Sequence, residues 1–203
     1  IKGNRNVTIM KASILDLSIA ELNEYVKGCN AIASCLGHNI SFKGLFGNPR
    51  KLVTDATKRL CNAIKVGDSE ITVKYILMNT VGNRNRDLPE KISFAERCVV
   101  WLLRILLPPH IDNEEAADFL RTKIGQDDNT IDWVAVRPSG LVDEQEVTEY
   151  IIHPSPVSSA IFDDGKVSRV NVAAFINELI TDQDLWENWK GQMPVIYNKR
   201  NDQ

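Results

Sequence analysis

A doubly wound, parallel α/β sheet is the fold class the sequence predicts, and three observations predict it. Segments with strand character alternate with segments of helical period along the chain. Strand segments such as "NAIASCL" and "IDWVAVRP" are continuously apolar, the pattern of strands covered on both faces. No internal repeat, low-complexity run or linker interrupts the 203 residues, so a single domain over 1–203 is expected.

Each element follows from its own signals. "VTIM" (7–10) is expected as a strand. The helix "SIAELNEYVKG" follows: Ser18 and Glu21 have capping-box spacing, Leu22, Tyr25 and Val26 share a face, and Gly28 stops it. "NAIASCL" is the next buried strand. A helix then takes Asn48 as its N-cap, Pro49 as its first residue, and Leu52, Ala56, Leu60, Ala63 and Ile64 as its buried stripe. "ITVKYILMNT" is a strand, followed by the polar loop "VGNRNRDLPEK". Ser93 and Glu96 open a very apolar helix that ends at "PPH". Asp112 and Glu115 open another, closed by Gly125, and "IDWVAVRP" is a strand ended by Pro138. From Ser139 to about Lys166 the pattern weakens. Pro154 and Pro156 forbid long regular elements there, so a lid or substrate segment is expected at about 139–166. "NVAAFINELITD" is a helix with Asn171 as N-cap. The acidic, aromatic run "DQDLWENW" is expected to cover the sheet edge with Trp186 and Trp189 on one side, and "MPVIY" is a last strand.

Composition narrows the function. Net charge is -3 without a basic block, which offers no electrostatic reason for a nucleic-acid partner. The longest apolar run, "CVVWLLRILL", is too short to span a bilayer and carries Arg104, so no membrane partner is expected. The opening "IKGNRN" has no signal-peptide pattern. Cys29, Cys35, Cys61 and Cys98 form no CxxC pair and match no zinc module. They are expected as reduced, mostly buried thiols in a cytoplasmic protein, with no metal site. The partner expected is a small-molecule substrate, and a homo-oligomer is compatible with the composition.

In open α/β sheets ligands sit beyond the carboxyl ends of the strands. Those ends run into "KASILD", "GHN", "VGN" and "SGL", and three of the four have a glycine within three residues of the strand. Glycine allows close approach of a ligand, although plain turn glycines give the same pattern.

The segments "GCNAIASCLGHN", "YILMNTVG", "IDWVAVRPSGL" and "KVSRVNVAAFINELITD" together resemble the atypical short-chain dehydrogenases/reductases. That group includes NmrA-like and NAD(P)H-binding domains and the biliverdin-IXβ (flavin) reductase type. The resemblance covers essentially the whole chain, with "VAVRPSGL" and "VSRVNVA" its most specific parts. It implies a Rossmann-like fold, NAD(P) as cofactor, and hydride transfer to a flavin, quinone or carbonyl. It places Ser13 and Ile14 beside the adenine. Leu36, Gly37 and His38 fall at the adenosine and pyrophosphate, and Arg137, Pro138, Ser139 and Gly140 beside the nicotinamide ribose. Thr80, flanked by Asn79 and Val81, falls where biliverdin-type members carry a Ser after the central strand and is the catalytic candidate; His153, before Pro154 in the expected lid, is the candidate for facing a substrate. The bland alternatives are a strand-end Thr80 bonding its own backbone, an unpartnered His38, and His110 as a surface or capping residue.

Two departures accompany the resemblance. The family's opening strand and glycine-rich phosphate loop are missing; the chain starts where the second strand belongs. A sheet lacking its first βα unit, hence an N-terminally truncated domain or a compensating partner strand, is the expectation. The Tyr-x-x-x-Lys pair of classical members is also missing: Tyr25, Tyr75, Tyr150 and Tyr197 have no Lys four residues on. That departure keeps a non-catalytic, NAD(P)-sensing module of NmrA type in view.

Overall fold

Strand formation begins at residue 31 in the computed structural model, which describes residues 5–39, 41–67, 71–90, 93–157, 159 and 165–199. The side chains of Phe42, Lys43 and Glu96 lie outside the described set. The segment "VTIM" forms no strand, and Val7, Ile9 and Met10 are exposed. Its apolar character is not enough, because a strand is stable only when a neighbour completes its hydrogen-bond ladder, and this one pairs with none of the described strands.

The elements are α1 (Ile19–Val26), β1 (Ala31–Ser34), α2 (Phe42–Phe46), α3 (Leu52–Val66), β2 (Val73–Met78), α4 (Phe94–Leu106) and α5 (Pro108–Phe119). Then come β3 (Ile131–Pro138), β4 (Gly140–Val142), β5 (Tyr150–His153), β6 (Lys166–Ser168), α6 (Arg169–Thr181), α7 (Gln183–Trp189) and β7 (Val195–Asn198). Five strands form the main sheet in the order β1-β2-β3-β7-β5, parallel except for β5. β4 and β6 make a separate two-stranded parallel ribbon. The expected lid segment thus contributes two short strands and one edge strand; residues 158 and 160–164 fall outside the described set.

Side chains alternate along the strands and divide the core into two layers. Val73, Tyr75, Leu77, Ile131, Trp133 and Ala135 point to a layer filled by α1, α3 and α5. Ile76, Val134, Val136 and Ile196 point to the opposite layer, filled by α6 and α7. Helices on both faces of a mostly parallel sheet make the fold Rossmann-like and doubly wound. Trp186 is buried in the second layer and Trp189 packs on it half-buried, as the spacing of "DLWENW" predicts.

Several local expectations are corrected by tertiary contacts. Ser18 and Glu21 do form the capping box of α1. α3, however, starts at Leu52, three residues after Pro49, and Lys51 at its N-cap makes no side-chain cap. Its first amides are met from a distance by Asp112. α5 starts at Pro108, not at Asp112: "PPH" is its first turn, where proline's fixed φ and missing N–H cost nothing. Ser168, not Asn171, caps α6. Asn171 is buried inside the helix, binding Thr148 and Asn198.

"NAIASCL" is not covered on both faces. Among the described strands β1 lies at the edge and pairs with β2 alone; Ser34 turns inward, while Ala33 and Cys35 are exposed. All four cysteines are free, but Cys61 alone among them is buried, Cys29 is half-buried, and Cys35 and Cys98 are exposed. Helix α4, very apolar in sequence, leaves Phe94, Cys98, Trp101, Leu102, Ile105 and Leu106 exposed. Among the described residues no helix is long and apolar enough to cross a membrane.

Candidate functional site

The carboxyl ends of β1, β2 and β3 are stitched together by the first turns of α5. Asp112 is the central knot. Its carboxylate accepts hydrogen bonds from the Val53 and Thr54 amides at 2.8 and 2.9 Å, which caps α3. Thr54 Oγ1 donates back to the Asp112 carbonyl at 2.8 Å. His38, just beyond β1, sets its Nε2 2.8 Å from Asp112 Oδ2 and its Nδ1 3.1 Å from the Gly44 carbonyl. Asn113 accepts from Asn79 Nδ2 at 2.9 Å and from Asn83 Nδ2 at 3.4 Å, which ties α5 to the end of β2. The Val81 amide donates to the Pro138 carbonyl at 2.9 Å, joining that end to β3.

The residues singled out in the sequence occupy different roles within this framework. His38 is not unpartnered: both ring nitrogens face protein acceptors, so its imidazole holds the β1 end in place. Leu36 is half-buried, and Gly37 is exposed; a Cβ there would meet nothing within 4 Å. Ser13 is exposed, and half-buried Ile14 offers its carbonyl to Arg59 on α3. Asn79 Oδ1 accepts from the Thr80 amide at 2.9 Å, so Asn79 shapes the strand end from within. Thr80 is half-buried, and its Oγ1 accepts from the Gly82 amide at 3.3 Å. Its own hydroxyl proton has no acceptor among the described residues. Val81 is buried against Val195 and Tyr197.

Arg137 is fully buried and its guanidinium is committed inside the protein. It donates to the carbonyls of Met193, Asn83 and Pro154 at 2.6, 3.0 and 3.0 Å and pairs with Glu90 at 2.8 Å. Burial pulls Arg137 below its ordinary value, and Glu90 pushes back. This side chain therefore fastens the loop after β2 to the C-terminal half, and only its backbone is left to border a ligand. Pro138 is buried and Gly140 opens β4 half-buried. Ser139 is buried, and its Oγ has no hydrogen-bond partner among the described residues. His153 lies across Val195 from Arg137, half-buried, with its ring 6.1 Å edge-on from Tyr197.

His110 belongs to this framework too, although its sequence position suggests a surface or capping residue. It sits in the first turn of α5 with its side chain 11% exposed and Nε2 3.5 Å from Glu114 Oε1. Arg104 on α4 grips Glu114 with two bonds of 2.9 Å. Burial raises the Glu114 carboxyl, but His110 and Arg104 outweigh it and hold the group at about 2. The Pro-Pro pair was the available signal: prolines mark a helix start, which puts His110 inside a helix rather than past the end of one.

Two observations fit a dinucleotide at these ends. Ser139 Oγ is a buried hydroxyl in need of a partner, and Gly37 leaves open space at the end of β1. Among the described residues no group of three or more His, Cys, Asp or Glu side chains is placed to hold a metal ion.

Comparison with known proteins defines the class. The NAD(P)H-binding family model matches residues 1–183, and the chain belongs to that family. Solved structures share the fold. The oxidoreductase ylbE from Lactococcus lactis superposes with a TM-score of 0.62 at 18% identity, over 97% of this chain and 74% of that one. A short-chain dehydrogenase/reductase from Veillonella parvula in complex with NADP gives 0.58 at 15% identity, over 97% and 74%. ChuY, an anaerobillin reductase from Escherichia coli O157:H7, gives 0.59 at 18%, over 95% and 74%. A comparison with curated proteins finds no match.

Proposed function

We propose that this protein is an NAD(P)-dependent oxidoreductase of the atypical short-chain type, which reduces a flavin, quinone or carbonyl. The observation that carries the reading is the pair of hydroxyls at adjacent strand ends, Thr80 beside β2, which accepts one weak local bond, and Ser139 beside β3, buried without a partner among the described residues, in a chain of the NAD(P)H-binding family. Bound there, the cofactor supplies the hydride. The chain's own residues hold and orient: the backbone at Leu36 and Gly37 borders the adenosine side, and Ser13 and Ile14 flank the adenine. The 137–140 turn borders the nicotinamide ribose. Thr80 hydrogen-bonds the nicotinamide or the acceptor, and His153 beside Tyr197 faces the substrate. With no Tyr-x-x-x-Lys pair, positioning contributes more than acid–base chemistry by those residues. A cytoplasmic location goes with this reading.

The missing pair also favours a second reading, a non-catalytic NAD(P) sensor. One titration separates them: NADPH is added while nicotinamide fluorescence is followed, and then a flavin or quinone is supplied. Binding with turnover supports the reductase; binding without turnover supports the sensor. No binding by this chain, restored by an upstream glycine-rich loop, supports a truncated form that cannot hold the cofactor alone. Within the reductase reading, Thr80→Ala lowers kcat roughly tenfold or more with little change in the urea midpoint, since its side chain makes one weak local bond.

A further inference from the structure

Helix α4 is rich in apolar residues, yet none of its described side chains is buried. Its main packing neighbour is α5, where Arg104 grips Glu114. Val99, Val100 and Leu103 share that side of the helix and are half-buried. The opposite side carries Phe94, Cys98, Trp101 and Ile105, spaced four, three and four residues apart, with Leu102 and Leu106 along one margin. Phe94 is 80% exposed, Trp101 63% and Ile105 58%. A helix that is apolar on both sides is stable when both sides are covered, and α5 covers one.

Size and self-complementarity identify the second cover. The exposed parts of Phe94, Trp101, Leu102, Ile105 and Leu106 amount to about 600 Å² for side chains of ordinary size, the upper end of what a monomer leaves open. Two such faces together bury about 1,200 Å², where specific interfaces begin. The seam also has the same spacing read in either direction. Laid antiparallel about a two-fold axis between Cys98 and Trp101, two copies set Phe94 against the partner's Ile105 and small Cys98 against the partner's large Trp101. The same register puts Arg97 level with Leu102 and Arg104 level with Ala95, so no like charges meet.

We propose that α4 is a self-association surface, pairing antiparallel with α4 of a second copy of this chain in a two-fold dimer. The proposal stands apart from the reductase reading and survives if that reading fails.

Sedimentation equilibrium of the wild-type chain should show a mass that rises from one chain to two across the micromolar range. Trp101→Glu combined with Ile105→Glu should raise the dissociation constant about 100-fold, because each substitution buries a charge in the seam. The urea midpoint at monomeric dilution should stay at the wild-type value, since both side chains face water there. Cys98 supplies a second readout. Its labelling by a thiol reagent should slow as the protein is concentrated, while exposed Cys35 keeps its rate. At the dilution of an ordinary labelling assay the monomer prevails and Cys98 reacts freely. A wild-type chain that stays monomeric at high micromolar concentration overturns the proposal. If that monomer binds vesicles of phosphatidylcholine and phosphatidylserine and the double variant does not, the cover is a lipid surface instead. A dimer that survives both substitutions, or one in which Cys98 labels as fast as in the monomer, overturns the proposal as well.

Discussion

Asp112 shows how one residue can replace several local signals. Its buried carboxylate caps α3, meets His38 and so holds the β1 end against α5. Asp112→Ala removes all three bonds and leaves two buried amides and His38 Nε2 without their partner, while His38 Nδ1 keeps the Gly44 carbonyl. Losing a charged partner in such a setting costs about 3 kcal/mol. The expected outcome is a lower urea midpoint with an unchanged m-value; a loss below about 1 kcal/mol would show that α3 can cap itself. Arg137 teaches the complementary lesson. The "RPSG" turn is legible as a strand end, but periodicity says nothing about where a guanidinium points. Its commitment to Glu90 and three carbonyls exists only because the 82–90 loop and Pro154 fold over it.

At the scale of elements, the inner strands follow their sequence patterns closely; helix starts shift where caps come from elsewhere, and the departures in burial share one cause. "VTIM", "NAIASCL" and α4 are all apolar segments whose covering layer the sequence could not specify. Among the described strands β1 pairs with β2 alone, and the face that carries Ala33 and Cys35 lies open to solvent while Ser34 turns inward. The cysteines report this difference directly. Exposed Cys98 and Cys35 should react with an aromatic disulfide reagent in the native protein, Cys29 more slowly, and Cys61 only as the protein unfolds. Burial pushes the Cys61 thiol up to about 12, which suppresses its thiolate as well as blocking access. Labelling of Cys61 at the rate of Cys98 would mean that α3 does not pack as described.

For the whole molecule, acid stability should carry the signature of the unit joining α4, α5 and the loop after β2. Glu114 titrates at about 2 in the folded chain against an ordinary 4.5. A depressed carboxyl contributes stability that is fully present above its unfolded value and lost as pH falls through the folded one. The contribution should therefore be intact above about pH 4.5 and gone near pH 2. Urea midpoints of wild type and Glu114→Gln across this window should differ at neutral pH and converge toward pH 2. A gap that persists at pH 2 would assign the difference to packing rather than charge.

The sequence by itself determined the fold class, the positions of the inner strands and the strand ends where a ligand belongs. These depend on period, on turn residues and on short-range caps, all of which act within a few positions of the chain. Tertiary structure alone decided that Asp112 caps a helix more than fifty residues away and that Arg137 is buried. It also decided that β1 is an edge and that His110 stands beside Thr80 with Glu114 and Arg104 behind it. Each of these depends on the distance between groups far apart in sequence. Electrostatic and hydrogen-bond energies are set by that distance and by burial, and no local pattern encodes either.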